Sequence, residues 1–109
     1  MKIVNRDKVI SKFGYWPKFC DAKIVNFFFD ATTKKIGLTI DYIDVDKNKQ
    51  SEVEFVFIGV FDVNLSDFFE ENVLDELAFV KDDTNFYEII LDACYGLNGK
   101  FFCNSIQVI

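Results

Sequence analysis

From Lys23 onward, apolar side chains recur at every second position. Val25, Phe27 and Phe29 make one stripe, and Ile36, Leu38, Ile40 and Tyr42 make another beyond the turn-forming stretch Ala31-Thr32-Thr33-Lys34. A period of two puts alternate side chains on one face of an extended chain, so the stripes predict two half-buried strands. A turn over residues 31–34 pairs Phe29 with Ile36, Phe27 with Leu38 and Val25 with Ile40. Every matched residue is apolar, which is what an antiparallel hairpin with one buried face requires.

The same reasoning extends along the chain. Asp46-Lys47-Asn48-Lys49-Gln50 is a polar loop into a third strand, Glu52 to Phe61, whose later part is apolar on both faces and therefore central. Asn98-Gly99 is the strongest short-range signal for a two-residue hairpin turn, because both central residues must take φ > 0. Centring the turn there pairs Tyr95 with Phe102, Leu91 with Ile106 and Ile89 with Val108. It also sets Phe101 across from Gly96 and Cys94 opposite Cys103. Between the hairpins, Ser66 to Glu76 is an irregular or one-turn helical crossover before a strand from Leu77 to Lys81. Upstream, Asn5 caps a short helix through Phe13, with Val9, Ile10 and Phe13 on one side and Gly14 at its stop. The fold class is mainly β: an antiparallel sheet of about six strands, curled, sandwiched or a partial barrel, with one short N-terminal helix. An α+β arrangement is the alternative.

Residues 1–109 contain no repeat, linker or low-complexity tract and are expected to form one domain. Fourteen Phe give the core ample area to bury without metals or disulfide staples. Met1-Lys2-Ile3-Val4-Asn5-Arg6-Asp7 lacks the layout of a signal peptide, and no apolar run has the length of a membrane span, so the expected address is the cytoplasm. Charge is unevenly spread. Residues 1–50 carry ten Lys/Arg against six Asp/Glu, whereas residues 51–109 carry two against twelve. An acidic half disfavours nucleic acid as a partner and favours a basic one.

The chain has no histidine, so a neutral-pH proton shuttle and the commonest metal ligand are both missing. Three cysteines without a histidine to activate them are expected to be reduced side chains rather than nucleophiles. A cross-strand bridge between Cys94 and Cys103 would be geometrically possible in the expected register. Asp44-Val45-Asp46-Lys47-Asn48 begins like a calcium loop but has Lys49 where glycine is needed and Phe55 where the closing glutamate belongs, so it is a polar hairpin loop. No phosphate cradle, serine elbow or zinc spacing is present, and neither an enzyme activity nor a cofactor is expected. The remaining feature is an acidic set, Asp67, Glu70, Glu71, Asp75, Glu76, Asp82 and Asp83, interleaved with Phe68, Phe69 and Leu74. Such a run is either solvated surface or an interface with apolar anchors inside a charged rim.

The segment Phe13-Gly14-Tyr15-Trp16-Pro17-Lys18-Phe19-Cys20-Asp21-Ala22-Lys23-Ile24 holds the only tryptophan and the only proline. Proline stiffens it and extends Trp16, so it is a corner leading into the first strand. Tyr15 and Trp16 are plugs under the sheet or, if exposed, contact residues. Asp21 is placed to accept backbone hydrogen bonds at the corner. This segment resembles the corner motif of the immunity protein 50 family of bacterial polymorphic toxin systems, which runs Trp-Pro-x-Phe-His-Asp-Ala before a strand. Trp16, Pro17, Phe19 and Asp21 match that motif, and Cys20 stands in place of the histidine. Phe69-x-x-Asn72-Val73-Leu74-x-x-Leu77 and Gly99-x-Phe101-Phe102-Cys103-x-x-Ile106 are similar to the family in type and order. The resemblance implies a cytoplasmic antidote that binds and neutralises a cognate toxin, with no membrane, nucleic acid or cofactor involved. The acidic set would then be the toxin-facing surface. A small barrel holding an apolar ligand among its Phe rings, or binding another protein, is the alternative function.

Overall fold

In the computed structural model, which describes residues 2–81 and 83–109, the first hairpin forms from β1 (Lys23–Asp30) and β2 (Lys35–Asp44). Phe29 lies opposite Ile36 and Phe27 opposite Leu38, as the stripes require, but Ile24 rather than Val25 meets Ile40. A β-bulge between Ile24 and Asn26 absorbs Val25, which is left 51% exposed. The start of β1 is held from both sides. Lys23 and Ile24 pair with β2, while Lys23 also bridges Val73 and the Ile24 N–H donates to the Asn72 carbonyl at 2.9 Å. An extra residue lets the strand twist enough to serve both partners.

The expected third strand is two strands, β3 (Lys49–Ile58) and β4 (Phe61–Ser66), broken at Gly59. Gly59 has φ 71°, and a Cβ there would lie 2.2 Å from the Asn104 side-chain amide nitrogen. Asn104 is also where a second long strand breaks, into β7 (Asn98–Cys103) and β8 (Ser105–Val108). The two breaks coincide. Phe55 faces Val108 and Phe57 faces Ile106 below the bend, Phe61 faces Phe102 above it, and the Asn104 N–H donates to the Ile58 carbonyl at 2.9 Å. One antiparallel ladder is thus folded over as a unit.

With β5 (Val73–Lys81) and β6 (Tyr87–Tyr95), the sheet order is β4-β7-β6-β5-β1-β2-β3-β8. Lys23 with Val73 is the single pair joining β1 to β5 among the described residues, so the eight strands make two four-stranded halves. Their inner faces meet through Phe57 on Phe101, with ring centroids 5.0 Å apart, and Phe55 on Phe79, 5.5 Å apart. The expectation of a mainly β, antiparallel sheet holds, as one eight-stranded sheet folded so that its halves face each other. Eight strands rather than about six arise because both long strands break at the bend.

The C-terminal hairpin does not centre on Asn98-Gly99. Tyr87 pairs with Cys103, Glu88 with Phe102, Ile89 with Phe101 and Leu91 with Gly99, while Ile106 and Val108 pair with β3. Cys94 is therefore not opposite Cys103, nor Phe101 opposite Gly96. Two contacts outside the hairpin decide the register. The Leu97 N–H donates to Asn72 Oδ1 at 2.8 Å, drawing Leu97 into the core. Gly99 is pressed against β4, where a Cβ would lie 2.0 Å from the Asn64 carbonyl oxygen. Its glycine serves a close strand approach rather than a tight turn.

The crossover is irregular over residues 67–72, and β5 starts at Val73 rather than Leu77. Asn72, only 6% exposed, ties it down. Its Oδ1 accepts from the Phe69 N–H at 3.2 Å as well as from Leu97, and its Nδ2 donates to the Phe69 carbonyl at 2.8 Å. The helix α1 (Arg6–Phe13) buries Val9 and Phe13, leaves Ile10 exposed and ends at Gly14, whose N–H donates to the Ile10 carbonyl at 2.7 Å. Asn5 sits at its start, but its side chain donates to the Val108 carbonyl at 3.0 Å instead of capping. Val4 alongside bridges Gln107 and covers the outer edge of β8. Replacing Asn72 by Ala leaves the buried Leu97 N–H without an acceptor and should cost roughly 1–3 kcal/mol in urea unfolding. A loss below about 0.5 kcal/mol would show that the crossover does not depend on this side chain.

Candidate functional site

The corner of residues 14–22 occupies the open side of the sandwich, between β1 and β5. Lys18 accepts from the Leu77 N–H at 3.0 Å, the Asp21 N–H donates to Leu74 at 2.8 Å, and the Leu74 N–H donates to Ala22 at 2.8 Å. This segment lines the edge of β5 as a strand would. Phe19 and Asp21 take φ values of 61° and 63°, a left-handed conformation that L side chains disfavour. It is held because the Phe19 ring is fully buried against Trp16, Tyr42 and Phe55. Asp21 thus works through its backbone N–H and conformation, not as the side-chain acceptor expected.

Trp16 is a plug, edge-on to Phe19, Phe55 and Phe79, with the Arg6 guanidinium 5.7 Å from its ring centroid. Tyr15 is partly exposed, and its hydroxyl donates to Asp44 Oδ2 at 2.8 Å. Lys47 Nζ lies 4.6 Å from the Tyr15 ring centroid and donates to the Phe13 carbonyl at 3.1 Å. Hydrogen bonds to Tyr42 and Asp44 hold the Tyr15 phenol well above the usual range, so it stays a donor. Its hydrogen bond in turn holds the Asp44 carboxyl below the usual carboxylate range. Asp44 to Asn48 is the polar hairpin loop expected, pinned to the corner by these contacts.

All three cysteines are free, with Cys20 and Cys94 exposed and Cys103 buried. Desolvation, then the carboxylates of Asp21 and Asp75, raise the Cys20 thiol, and burial pushes Cys103 up to about 12. Thiols held up in this way are weak nucleophiles. Cys20, the one departure from the corner motif, lies outside the core, so the replacement leaves the interior packing intact.

The acidic set divides. Asp67, Phe68, Glu70 and Glu71 lie on the crossover, Asp75 and Glu76 on β5. Asp83 lies beyond the far end of β5, roughly 26 Å from its start at about 3.3 Å per residue. Asp82 lies outside the described residues. Leu74 points into the core, so the exposed apolar members are Phe68, 62% exposed, and Phe69. Phe69 packs on Tyr95 with centroids 5.2 Å apart, and Phe68 lies 6.2 Å from Phe27. Glu76 faces Asp92 directly across the β5 to β6 ladder. Like charges so placed destabilise a sheet, and neither has a cation in an ion pair among the described residues. The salt bridge described there is Lys100 with Glu88, at 3.5 Å. Reading the chain as a charge run missed Tyr95 and Asp92. The signal was the alternation of Tyr87, Ile89 and Leu91, which puts Glu88, Ile90 and Asp92 on the opposite face.

The corner, the crossover and the C-terminal ladder coincide with the three patches that carried the family resemblance, and the match runs through them all. A family model described as Immunity protein 50 covers residues 5–109. The chain belongs to the immunity protein 50 family. No curated protein and no solved structure matches it. Membership gives this immunity protein its coarse role, and no helix among its described residues is long and apolar enough to cross a membrane.

Iodoacetamide should modify Cys20 and Cys94 in the native protein and reach Cys103 only after unfolding, as mass spectrometry would register; native labelling of Cys103 contradicts the packing. A carboxyl lowered on folding contributes stability above its unfolded value, near 3.9 for aspartate, and loses it as pH falls through the folded value. Tyr15→Phe should therefore reduce the acid-side fall in melting temperature below about pH 4. An identical pH profile would mean that the Tyr15–Asp44 bond adds nothing.

Proposed function

We propose that this immunity protein binds a cognate toxin in the cytoplasm and neutralises it by covering its working surface, with no chemistry of its own. The observation that carries this reading is the aromatic group Phe68, Phe69 and Tyr95 set beside Asp67, Glu70, Glu71, Asp75 and the facing pair Glu76 and Asp92. Apolar anchors within a charged rim match the anatomy of protein interfaces. The buried hydrogen bonds of Asn72 pre-form the crossover, so little ordering entropy is lost on docking. The unneutralised acids select a basic partner and speed encounter, with steered association reaching about 10⁸–10⁹ M⁻¹s⁻¹ at low salt. Rapid capture suits a role in which a free toxin molecule is lethal. The rings a ligand cavity would need, Phe19, Phe55, Phe57 and Phe101, are packed on one another or on neighbouring rings, which favours the protein partner.

This reading expects a toxin domain to be encoded beside this protein's gene, and that domain is the partner to test. The combined variant Glu70→Gln, Glu71→Gln, Asp75→Asn and Glu76→Gln should slow association about tenfold or more and flatten its dependence on salt. Asp83→Asn, at the far end of β5, should leave the rate unchanged. An unaltered rate and salt slope in the combined variant would remove the acidic face from the interface.

A further inference from the structure

An antiparallel sandwich of two halves has four strand edges, of which two are covered by other segments of this chain and a third is bulged. The outer edge of β8 is covered by Val4, whose N–H donates to Ile106 at 3.0 Å and whose carbonyl accepts from Val108 at 2.9 Å. The edge of β5 is covered by the corner, through Lys18, Asp21 and Ala22. The edge of β4 is blunted by a register shift between Phe61 and Asn64, with Asp62 left-handed at φ 51°. The fourth edge is different. From Asn26 to Asp30, β1 keeps an unbroken register with β2, and on its other side no strand pairs with it among the described residues. Soluble proteins normally blunt such edges with charge, proline or a bulge, and β1 has its own bulge at Val25 and Asp30 at its end, yet between them it presents Phe27, Phe28 and Phe29.

The side chains leave room along the edge. Phe28 is laid over Gly37 of β2, where a Cβ would come within 1.9 Å of its ring, so the ring lies back across the sheet and away from the open side. Phe29, on the other face, borders a notch of about 540 Å³ that it shares with Lys34, Gly59 and Val60 to Val63. Phe68 of the crossover lies 6.2 Å from Phe27 between ring centroids, and Asp67, Glu70 and Glu71 are its neighbours along the crossover.

We infer that the toxin contributes an extended basic segment that adds to the sheet along the free edge of β1, its apolar side chains meeting Phe27, Phe29 and Phe68 and its cations meeting the acids of the crossover. This rests on the reading of the crossover as the toxin-facing surface, and it names the element of the partner that docks there. Backbone hydrogen bonds would supply affinity, and the alternation of apolar and basic side chains would supply selectivity. The charge of the crossover favours a cationic strand over a second copy of this chain, whose own β1 ends in Asp30 and carries only Lys23 as a cation.

Amide hydrogen exchange of the free protein and of its complex with the toxin domain expected beside its gene tests this. Complex formation should slow several of the amides from Asn26 to Asp30 by about tenfold or more. Phe29→Thr, a neutral change at a half-exposed position, should weaken the complex about tenfold while the melting temperature and the salt dependence of association stay near those of the parent. A complex that leaves these amides unchanged overturns strand addition and leaves the toxin reading standing. Failure of the parent protein to bind that toxin domain overturns the reading beneath it. Protection of the same amides in the free protein, with dimers in sedimentation, assigns the edge to a second copy and overturns the proposal.

Discussion

The rest of the molecule depends on a shared bend. Two long antiparallel strands turn over together where Gly59 meets Asn104, and the ladder between them keeps its register through the turn. Glycine is required there twice over, by its positive φ and by the side chain lying where its Cβ would be. Because both strands turn at one level, the half containing β3 faces the half containing β7, and Phe57 meets Phe101 across the interior. The opposite side of the sandwich then has only the bridge of Lys23 with Val73. The corner with Trp16 and Phe19 exists to fill that opening, which is why a stiff aromatic segment stands before the first strand.

Local pattern was readable wherever both partners of a pairing lie close in sequence and share a simple stripe. The first hairpin was recovered in full apart from the bulge at Val25, which arises from a second partner, Asn72, far along the chain. The helix stop at Gly14 was readable because it is a backbone requirement met by one residue. The C-terminal hairpin was misread for the converse reason. Asn98-Gly99 carries a strong turn signal, but Asn72 and β4 outbid it from outside the hairpin, and Ile106 and Val108 belong to a different ladder. A one-dimensional pattern holds no trace of a strand that changes partners at Asn104.

The candidate surface was half readable. The acids of the crossover were evident as a charge run, and Asn72 as part of a family patch, yet neither discloses that Asn72 locks the loop. Glu76 and Asp92 lie far apart in sequence and become neighbours only through the bulged pairing of β5 with β6. Their juxtaposition runs against local stability, which marks positions where a local rule is broken. Tyr95 joins them because the displaced hairpin leaves the end of β6 beside Val73 and Phe69 instead of beside Phe102.

The seam of Val4 against β8 carries a consequence for synthesis. The strand that completes one half is β8, and the residue that seals its edge, Val4, is far from it in sequence. A ribosome has to release everything up to Val108 before these distant stretches can zip together, so a nascent fragment holds bare strand edges and an unsealed interior. Contacts so far apart in the chain also close slowly. Synthesis must therefore reach β8 before this seam can close and the half it belongs to can be completed.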